Sequence, residues 1–373
     1  FGTDGLARQT IDWNKEWNER FRTRVNVMSQ TGDVPGRDGV YDNRLGLSLG
    51  AEYDVNEDLT LTLDAYHVEM DQQSDWGIPW YDGAPATETL GLDPSTWYGI
   101  ADRDFQKGEQ NIATLGARYR FDNGLELSNK TRVGRTGIDY IASVPSGVTD
   151  NGDGTYSVNA SMKSSKQLNE MLSNTTEGAF SFDTGKLTHD MVLGVQVSKE
   201  TITQRSYAGL DSEDYGGITG TTCSGIDLYA PDTSACWVAG AALPLADGAR
   251  VTEVITKSIY LNDTVDLAQN LTANFGLRID DYDISREGTG YLYERDDTMF
   301  NWNAGLTWKL NEHGMVYASV ATSTNPMGQE LDAGGGSYNG LDEAGTLLDP
   351  EENTAIEIGT KWDLLNQRLA LTA

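Results

Sequence analysis

The sequence lacks any apolar run close to 18 residues, which is the length that predicts a membrane-spanning helix. Its mean hydropathy of -0.47 is correspondingly low. A helical membrane protein is therefore excluded. Low hydropathy does not by itself indicate a soluble protein, because strands that alternate polar and apolar residues can also cross a membrane.

Positive charge is also scarce. The 373 residues include 27 Lys and Arg against 57 Asp and Glu, which gives a formal net charge of -30. Nucleic acid is disfavoured as a partner, because its phosphates require clustered cations. An anionic small ligand is not excluded, since screening beyond about 8 to 10 Å lets local Arg and Lys dominate a pocket.

Histidine is rare, and the three present, His67, His189 and His313, lie far apart in the sequence. No metal-ligand spacing or catalytic cluster held by a histidine is visible, so we expect no enzyme, no metal site and no cofactor. Residues 150–154 resemble the start of a calcium loop but lack its downstream Glu. They predict an Asx/Gly turn instead.

Only two cysteines occur, Cys223 and Cys236, with twelve residues between them in one long connection. A disulfide between them would indicate an oxidising compartment. Closing a loop of about fifteen residues is worth roughly 3 kcal/mol in the chain-entropy model. The alternative is that both are unpaired small residues.

What the sequence has in abundance is strict alternation. In residues 300–310 every second side chain is apolar and the intervening ones are polar or Gly. The same pattern occurs at 44–53, 59–65, 113–121 and 271–280. A soluble antiparallel sheet with one buried face is one reading of any single segment. The longest segments exceed the five or six residues usual in globular sheets, and they suit tilted membrane strands of about ten.

The connections between these strands fall into two classes. Residues 122–124, 183–185 and 311–314 are short and rich in Asn and Gly, as in hairpin turns. Residues 71–108, 144–166, 206–250 and 324–353 are long. No Pro-rich linker or change of composition divides residues 1–373. The sequence therefore predicts an all-β fold, a transmembrane antiparallel β-barrel with short turns at one end and long loops at the other.

Several segments resemble a known family. Residues 348–369, beginning Leu348-Asp349-Pro350-Glu351, are similar to the barrel signature of TonB-dependent siderophore receptors. Residues 24–28, 34–38, 41–44 and 75–80 resemble the ferric-catecholate branch of that family. The last of these has Trp76 where Tyr is usual, which is a conservative change for ring stacking.

The resemblance implies a 22-stranded barrel of the bacterial outer membrane with an N-terminal plug. On that template residues 1–373 form a partial barrel domain of about strands 2 to 15, with the plug, the Ton box and the C-terminal strands missing. About fourteen strands would leave two unpaired edges in lipid, so this piece should not insert alone.

The implied function is uptake of a ferric siderophore, a catecholate in the first place, as transported ligand. TonB, with ExbB and ExbD, would supply energy through the missing N-terminal region, and outer-membrane lipid would surround the barrel. Hydroxamate siderophores, cobalamin and glycans are alternative solutes. A passive porin is a further alternative.

The ligand class indicates which residues to examine. A ferric catecholate is an aromatic trianion, so its receptor needs cations and aromatic faces. The connection 75–108 supplies both, and its candidate ligand-binding residues are Trp76, Trp80, Tyr81, Trp97, Tyr98, Arg103 and Lys107. The alternative is an aromatic rim at the lipid interface.

Overall fold

The computed structural model describes residues 2, 4–208, 222–237, 240, 242–328, 341, 343, 346, 348–366 and 368–373. Its first half is a run of long strands joined as hairpins. These are β1 (Ala7–Asn18), β2 (Phe21–Thr31), β3 (Asp42–Asp54), β4 (Leu59–Gln72), β7 (Phe105–Arg120), β8 (Glu126–Asp150), β9 (Tyr156–Thr184) and β10 (Leu187–Arg205). Between β4 and β7 lie the short strands β5 (Trp80–Tyr81) and β6 (Ala84–Pro85) and the one-turn helix α1 (Ala86–Thr89).

The second half continues the same pattern. It contains β11 (Thr222–Asp227), a 3-10 turn (Ser234–Cys236), β12 (Arg250–Ala268), β13 (Leu271–Gly288), β14 (Tyr291–Asn311), β15 (Gly314–Asn325), β16 (Glu351–Leu364) and β17 (Leu369–Thr372). The long strands pair in sequence order as one antiparallel meander from β1 to β17, while β11 adds to β9 and β5 pairs with β6. In the described sheet β1 pairs only with β2 and β17 only with β16, as expected for an open set of strands.

Strict alternation gives the sheet two unlike sides. One continuous apolar row crosses five strands. Each of its residues pairs with the next one on the neighbouring strand, in the order Leu49, Ala65, Ala113, Val133 and Leu172. We call this the apolar side. It continues through exposed residues of later strands, including Val195, Ile259, Leu277, Phe300 and Ile356.

The opposite, polar side follows from the same register. Arg22 pairs with Glu52, which pairs with Thr62. The guanidinium of Arg22 lies 2.5 Å from the Glu52 carboxylate and 2.6 Å from that of Asp54. Because neighbouring residues of a strand point to opposite sides, one register fixes both surfaces at once.

The two ends of the sheet differ as the connections predicted. Three of the joints at the short-turn end are the predicted turns near residues 122–124, 183–185 and 311–314. At the other end, which we call the long-loop end, residues 73–104 join β4 to β7. Residues 206–249 join β10 to β12 and 326–350 join β15 to β16, although 209–221 and 329–340 are outside the described residues.

The prediction of one of the long loops is wrong. Residues 144–166 are almost entirely strand, because β8 continues to Asp150 and β9 begins at Tyr156. The turn between them is an Asx turn as predicted, since Asp150 Oδ1 accepts from the Gly152 amide at 2.8 Å and Asp153 Oδ1 from the Thr155 amide at 3.0 Å. The Ser, Thr and Gly in this hairpin conceal the alternation. Pairing with β11 stabilises its edge.

Buried side chains are concentrated at the long-loop end rather than inside the sheet. The main core gathers residues from β8, β9, β11, the segment 228–237 that follows β11, and the connection 73–104, namely Ala86, Leu92, Tyr98, Ile100, Ile141, Val158, Ala160, Met162, Cys223, Ile226, Leu228, Cys236 and Trp237. None of the helices in the described part of the chain is long and apolar enough to cross a membrane.

Candidate functional site

The external loop cluster is the candidate site. It consists of residues 73–104, the distal part of the β8–β9 hairpin beyond residue 140, and residues 222–237. The shared core described above packs these three segments together. Binding residues concentrate on loops that a rigid scaffold positions, and here the scaffold is the long-strand sheet.

Arg37, from the β2–β3 connection, holds the connection 73–104 in place. Its Nε and Nη2 donate to the two carboxylate oxygens of Asp75 at 2.7 and 2.6 Å. Its Nη1 donates to the carbonyls of Pro94 and Thr96 at 2.6 and 2.9 Å. Partial burial is the largest single influence on Asp75 and acts to raise its pKa, but the hydrogen bonds from Arg37 and the Gly77 amide, together with the Arg37 charge, lower the pKa overall. Arg37 therefore fixes the start and the middle of this connection at one point.

Arg103 has a different environment from the one expected of a ligand-binding cation. Its side chain and that of Asp104 are both 0% exposed. Nε and Nη2 of Arg103 donate to Asp104 Oδ1 at 2.8 and 2.7 Å, and Nη2 also donates to Ser143 Oγ at 2.8 Å. The guanidinium lies 5.7 Å from the ring centre of Trp237. Arg103 is thus inaccessible to a ligand in this structure, and it ties the loop to β8.

Tyr98 and Trp97 also serve the internal packing. Tyr98 is 1% exposed and its hydroxyl donates to the Leu228 carbonyl at 2.7 Å. Burial raises the pKa of Tyr98 well above its usual value. The indole nitrogen of the half-buried Trp97 donates to the Ser74 carbonyl at 3.0 Å. Trp97 and Tyr98 therefore hold the external loop cluster together and present little surface to solvent.

Two aromatic residues earlier in the same connection, Trp76 and Trp80, lie on the surface. Trp76 is 45% exposed and Trp80 is 64% exposed. The Trp76 ring lies 5.8 Å from that of Tyr140 on β8. Tyr81 contacts Tyr156 edge to face at 5.6 Å. Trp76 and Tyr140 thus form an aromatic patch on the polar side of the hairpin, available for stacking with a planar ligand. Tyr156 alternates in step with Lys166 along β9, so Tyr81 packs on the other side of the hairpin.

Cys223 and Cys236 form a disulfide, with their Cα atoms 5.7 Å apart. Cys223 lies in β11, where it pairs with Ala160 of β9. Both cysteines are buried in the core of the external loop cluster, beside Tyr98 and Leu228. The bridge therefore fastens residues 222–237 over the same core that positions the exposed aromatics.

Two cations that the sequence did not single out lie on the polar side with Tyr140. Ala142 pairs with Lys163, and Tyr140 pairs with Ser165, so Lys163 shares the polar side with Tyr140. Arg250 of β12 pairs with Gln204 and donates to its Oε1 at 2.8 Å. Their spacing along the chain carries no motif. Only strand register shows that they belong to the same side as Tyr140.

Lys107 lies on the other side of the sheet. It pairs with Asp139, which alternates with Tyr140 and so points to the apolar side. Its ammonium lies 5.9 Å from the ring centre of Phe105. The structure therefore does not bring Lys107 together with Trp76 and Tyr140.

His189 has partners that the sequence spacing did not reveal. Its Nδ1 lies 2.8 Å from Asp263 Oδ2 and its Nε2 lies 2.8 Å from Thr184 Oγ1. The ring stacks on Phe182 at 4.7 Å. These residues are at the short-turn end on the apolar side, where His189 pairs with Asp263 Oδ2 while Asp263 Oδ1 is buried without a hydrogen-bond partner among the described residues. No group of three or more metal-ligating side chains was found in the described ranges.

Comparison with known proteins gives consistent results. The family described as TonB dependent receptor-like, beta-barrel matches residues 53–373. The probable TonB-dependent siderophore receptor PiuA of Acinetobacter baumannii is 29% identical over 401 residues, covering 100% of this chain and 52% of that protein. The catecholate siderophore receptor Fiu of Escherichia coli K12 is 27% identical over 414 residues, with the same coverage of 100% and 52%.

Solved structures agree with the sequence relatives. The crystal structure of the ferric-catecholate import receptor Fiu in its closed form superposes with a TM-score of 0.85 at 24% identity, covering 99% of this chain and 56% of that chain. The structure of PiuA gives a TM-score of 0.83 at 26% identity, covering 100% and 55%. The chain thus spans about half the length of these relatives.

Proposed function

Because this chain belongs to the TonB-dependent receptor β-barrel family, we propose that it is part of an outer-membrane receptor for the active uptake of a ferric siderophore. Barrels of this family lie in the bacterial outer membrane. The apolar side then faces lipid and the polar side faces the lumen. Residues 1–373 would contribute consecutive strands to a 22-stranded barrel, with the external loop cluster on the cell surface.

The observation that carries this proposal is the exposed aromatic patch beside cations at the lumen mouth. A ferric catecholate presents planar rings and negative charge together. Trp76 and Tyr140 offer ring faces, while Lys163 lies on the same side of the β8–β9 hairpin. Aromatic and cationic groups in one patch match both features of the ligand.

The residues of this site divide into two roles. We propose that Trp76 and Trp80 contact the ligand beside Tyr140, with Lys163 and Arg250 supplying charge. Tyr81 is left out of the contact set because its partner Tyr156 lies on the side of β9 that carries Lys166. Trp97, Tyr98 and Arg103 would hold the external loop cluster in shape without touching the ligand, since each donates a hydrogen bond inside the cluster. Lys107 has no part in this site because it points to the apolar side.

The relatives favour a catecholate, since Fiu is described as a catecholate siderophore receptor. Transport would be energised by TonB with ExbB and ExbD, and no covalent chemistry is required of the chain. Hydroxamate siderophores, cobalamin and glycans are the alternative solutes that an uptake assay must separate. Iron enters this scheme as part of the cargo, so no resident cofactor is proposed.

The test is iron uptake by cells that carry the full-length gene, supplied with a ferric catecholate, with and without functional TonB. Uptake that requires both the gene and TonB would support the proposal. Uptake that is independent of TonB would indicate a passive porin. Uptake of a hydroxamate, cobalamin or a glycan in place of the catecholate would keep the transport class and change the cargo.

Binding by the purified full-length receptor tests the site itself. Each of Trp76→Ala and Lys163→Gln should weaken ligand affinity about tenfold, because one aromatic contact or one charged hydrogen bond is worth about 1 to 2 kcal/mol. Lys309→Gln is the matched control, since Lys309 is an exposed lysine at the short-turn end. Unchanged affinity in both site variants would remove this patch from the proposal.

A further inference from the structure

A groove of about 960 Å³ crosses the sheet from β2 to β10 near the long-loop end. Its lining includes Lys107, Asp139, Lys166 and Arg205, which pair in this order across four neighbouring strands. Cross-strand partners point to the same side, and Lys107 and Asp139 belong to the apolar side. The charged residues of this groove therefore face outward, away from the lumen and from the aromatic patch.

Tyr207 and Leu245 cover part of the groove. Tyr207, which follows β10, packs edge to face on Phe105 at 6.2 Å and donates from its hydroxyl to Asp139 Oδ1 at 2.8 Å. Leu245 forms a bridge with Tyr207 and also lines the groove. The opening therefore lies beneath the external loops, in the zone between them and the apolar rows of the sheet.

A second, apolar groove of about 440 Å³ lies nearer the short-turn end on the same side. Ala65 and Ala113 form a shallow floor between the larger side chains of Leu47, Leu49 and Val133. Arg135 lines both grooves, so the two adjoin at its side chain. A charged groove beside an apolar groove fits a molecule with a charged headgroup and a hydrocarbon tail.

The carboxylates of the charged groove already have partners. Asp139 is bound by Lys166 at 3.0 Å and by Tyr207. Glu109 accepts from Asn111 at 2.6 Å. Asp71 accepts from Tyr41 at 3.4 Å, and Glu69 lies 3.7 Å from His67. None of the four is left without a neighbouring donor.

Three of the cations have no such partner. Within the described part of the chain, no carboxylate oxygen lies within 4.0 Å of the charged nitrogens of Lys107, Arg135 or Arg205. In a chain with a net charge of -30, cations without a carboxylate partner are unexpected in one groove. Their positive charge is available to an external anion.

We propose that these two grooves bind a phosphorylated lipid of the outer leaflet, with the headgroup phosphate on Lys107, Arg135 and Arg205 and an acyl chain over Ala65 and Ala113. Arg suits this task because its planar donors match phosphate oxygens in pairs. Basic pockets at the membrane surface bind anionic lipid headgroups, each cation contributing to affinity. This inference rests on outer-membrane location and is independent of the transported cargo.

The experiment is native mass spectrometry of the detergent-purified full-length receptor, titrated with diphosphorylated lipid A. The variant Lys107→Gln/Arg135→Gln/Arg205→Gln should bind about a hundredfold more weakly, since one cation near an anionic lipid surface changes affinity about fivefold. Arg135→Lys/Arg205→Lys should bind more tightly than the triple variant but less tightly than the unmodified receptor, because lysine keeps the charge and loses the paired donors. Lipid A without its phosphates should bind the unmodified receptor as weakly as the triple variant binds the phosphorylated form.

The matched control is Lys199→Gln/Lys257→Gln. These lysines lie on the same side of the sheet, but they are engaged by Glu253 at 2.6 Å and by Asp281 at 3.1 Å. The control should bind lipid A as the unmodified receptor does. Ala113→Phe should fill the apolar groove and weaken lipid binding with every cation in place.

Two results would overturn the proposal. The first is equal lipid binding by the triple variant and the control, with both migrating as folded barrels on an unheated gel. The second is displacement of lipid A by inorganic phosphate at the same concentration as lipid A, which would show a free-anion site instead of a lipid site. Loss of binding in the triple variant alone, without competition by phosphate, supports it.

Discussion

Replacing Arg103 by Met should loosen the external loop cluster, because it leaves the carboxylate of Asp104 buried without its counter-ion. Both side chains are 0% exposed, and Asp104 Oδ2 otherwise accepts only the Ile100 amide, at 3.1 Å, among the described bonds. Breaking a buried pair by removing one partner costs about 3 to 5 kcal/mol. The local opening equilibrium should therefore shift by roughly a hundredfold to a few thousandfold.

Hydrogen exchange of the full-length receptor measures this shift. Amides in residues 97–105 should exchange faster in Arg103→Met by that factor, while the long strands from β12 to β15 should keep their protection. The double variant Arg103→Met/Asp104→Asn should recover much of the protection, since no charge remains buried. It controls for the lost volume and for the lost contact with Trp237.

Ligand affinity separates this explanation from the one the sequence suggested. If Arg103 only supports the loop, affinity should fall in Arg103→Met and recover in the double variant together with protection. The reasoning is refuted if exchange is unchanged in Arg103→Met while affinity falls in both variants. That result would make Arg103 a direct ligand-binding cation.

Two further predictions concern the same cluster. Replacing Cys223 and Cys236 together by Ser should expose residues 222–237 to protease, because closing a loop of this size stabilises the fold by about 3 kcal/mol. The melting temperature of the barrel should not change. Free thiols in the unreduced, unfolded receptor would contradict the bridge. For Asp75 the folded-state pKa lies below the ordinary value of 3.8, so the stability that Arg37 adds is complete above that pH and is lost as pH falls through the lowered pKa. Loop protection in the unmodified receptor should therefore exceed that in Asp75→Asn by a constant amount from neutral pH down to about 4 and approach it below. A difference that stays the same as the pH falls well below 4 would argue against the pair.

The architecture was predictable because period-two alternation is a local signal. Residues 300–310 and 271–280 show it without any knowledge of their neighbours, and both lie inside longer strands, β14 and β13. The Asn and Gly turns are equally local. Where the alternation is weak, as in residues 144–166, the prediction was wrong, because pairing with β11 and the hairpin partner stabilises strands that their own side chains do not indicate.

The site was predictable only in part, and the difference is one of burial. Composition placed aromatics and cations in residues 75–108, but it could not tell that Tyr98 and Arg103 point into a core while Trp76 and Trp80 point out of it. Burial there depends on residues from β9 and β11, far away in the sequence. A ligand-binding loop needs its own small core to hold a shape, so some of its conspicuous residues must be used internally.

Strand register explains why the most informative cations escaped the sequence. Lys163 and Arg250 are separated by more than eighty residues, and yet they share the polar side with Tyr140. Lys107 lies close to the aromatic patch in sequence and faces the opposite way. A shift of one position in a strand would exchange the two surfaces completely. Parity along each strand therefore separates the proposed cargo site in the lumen from the proposed lipid site outside it, so mutations can alter the two surfaces independently.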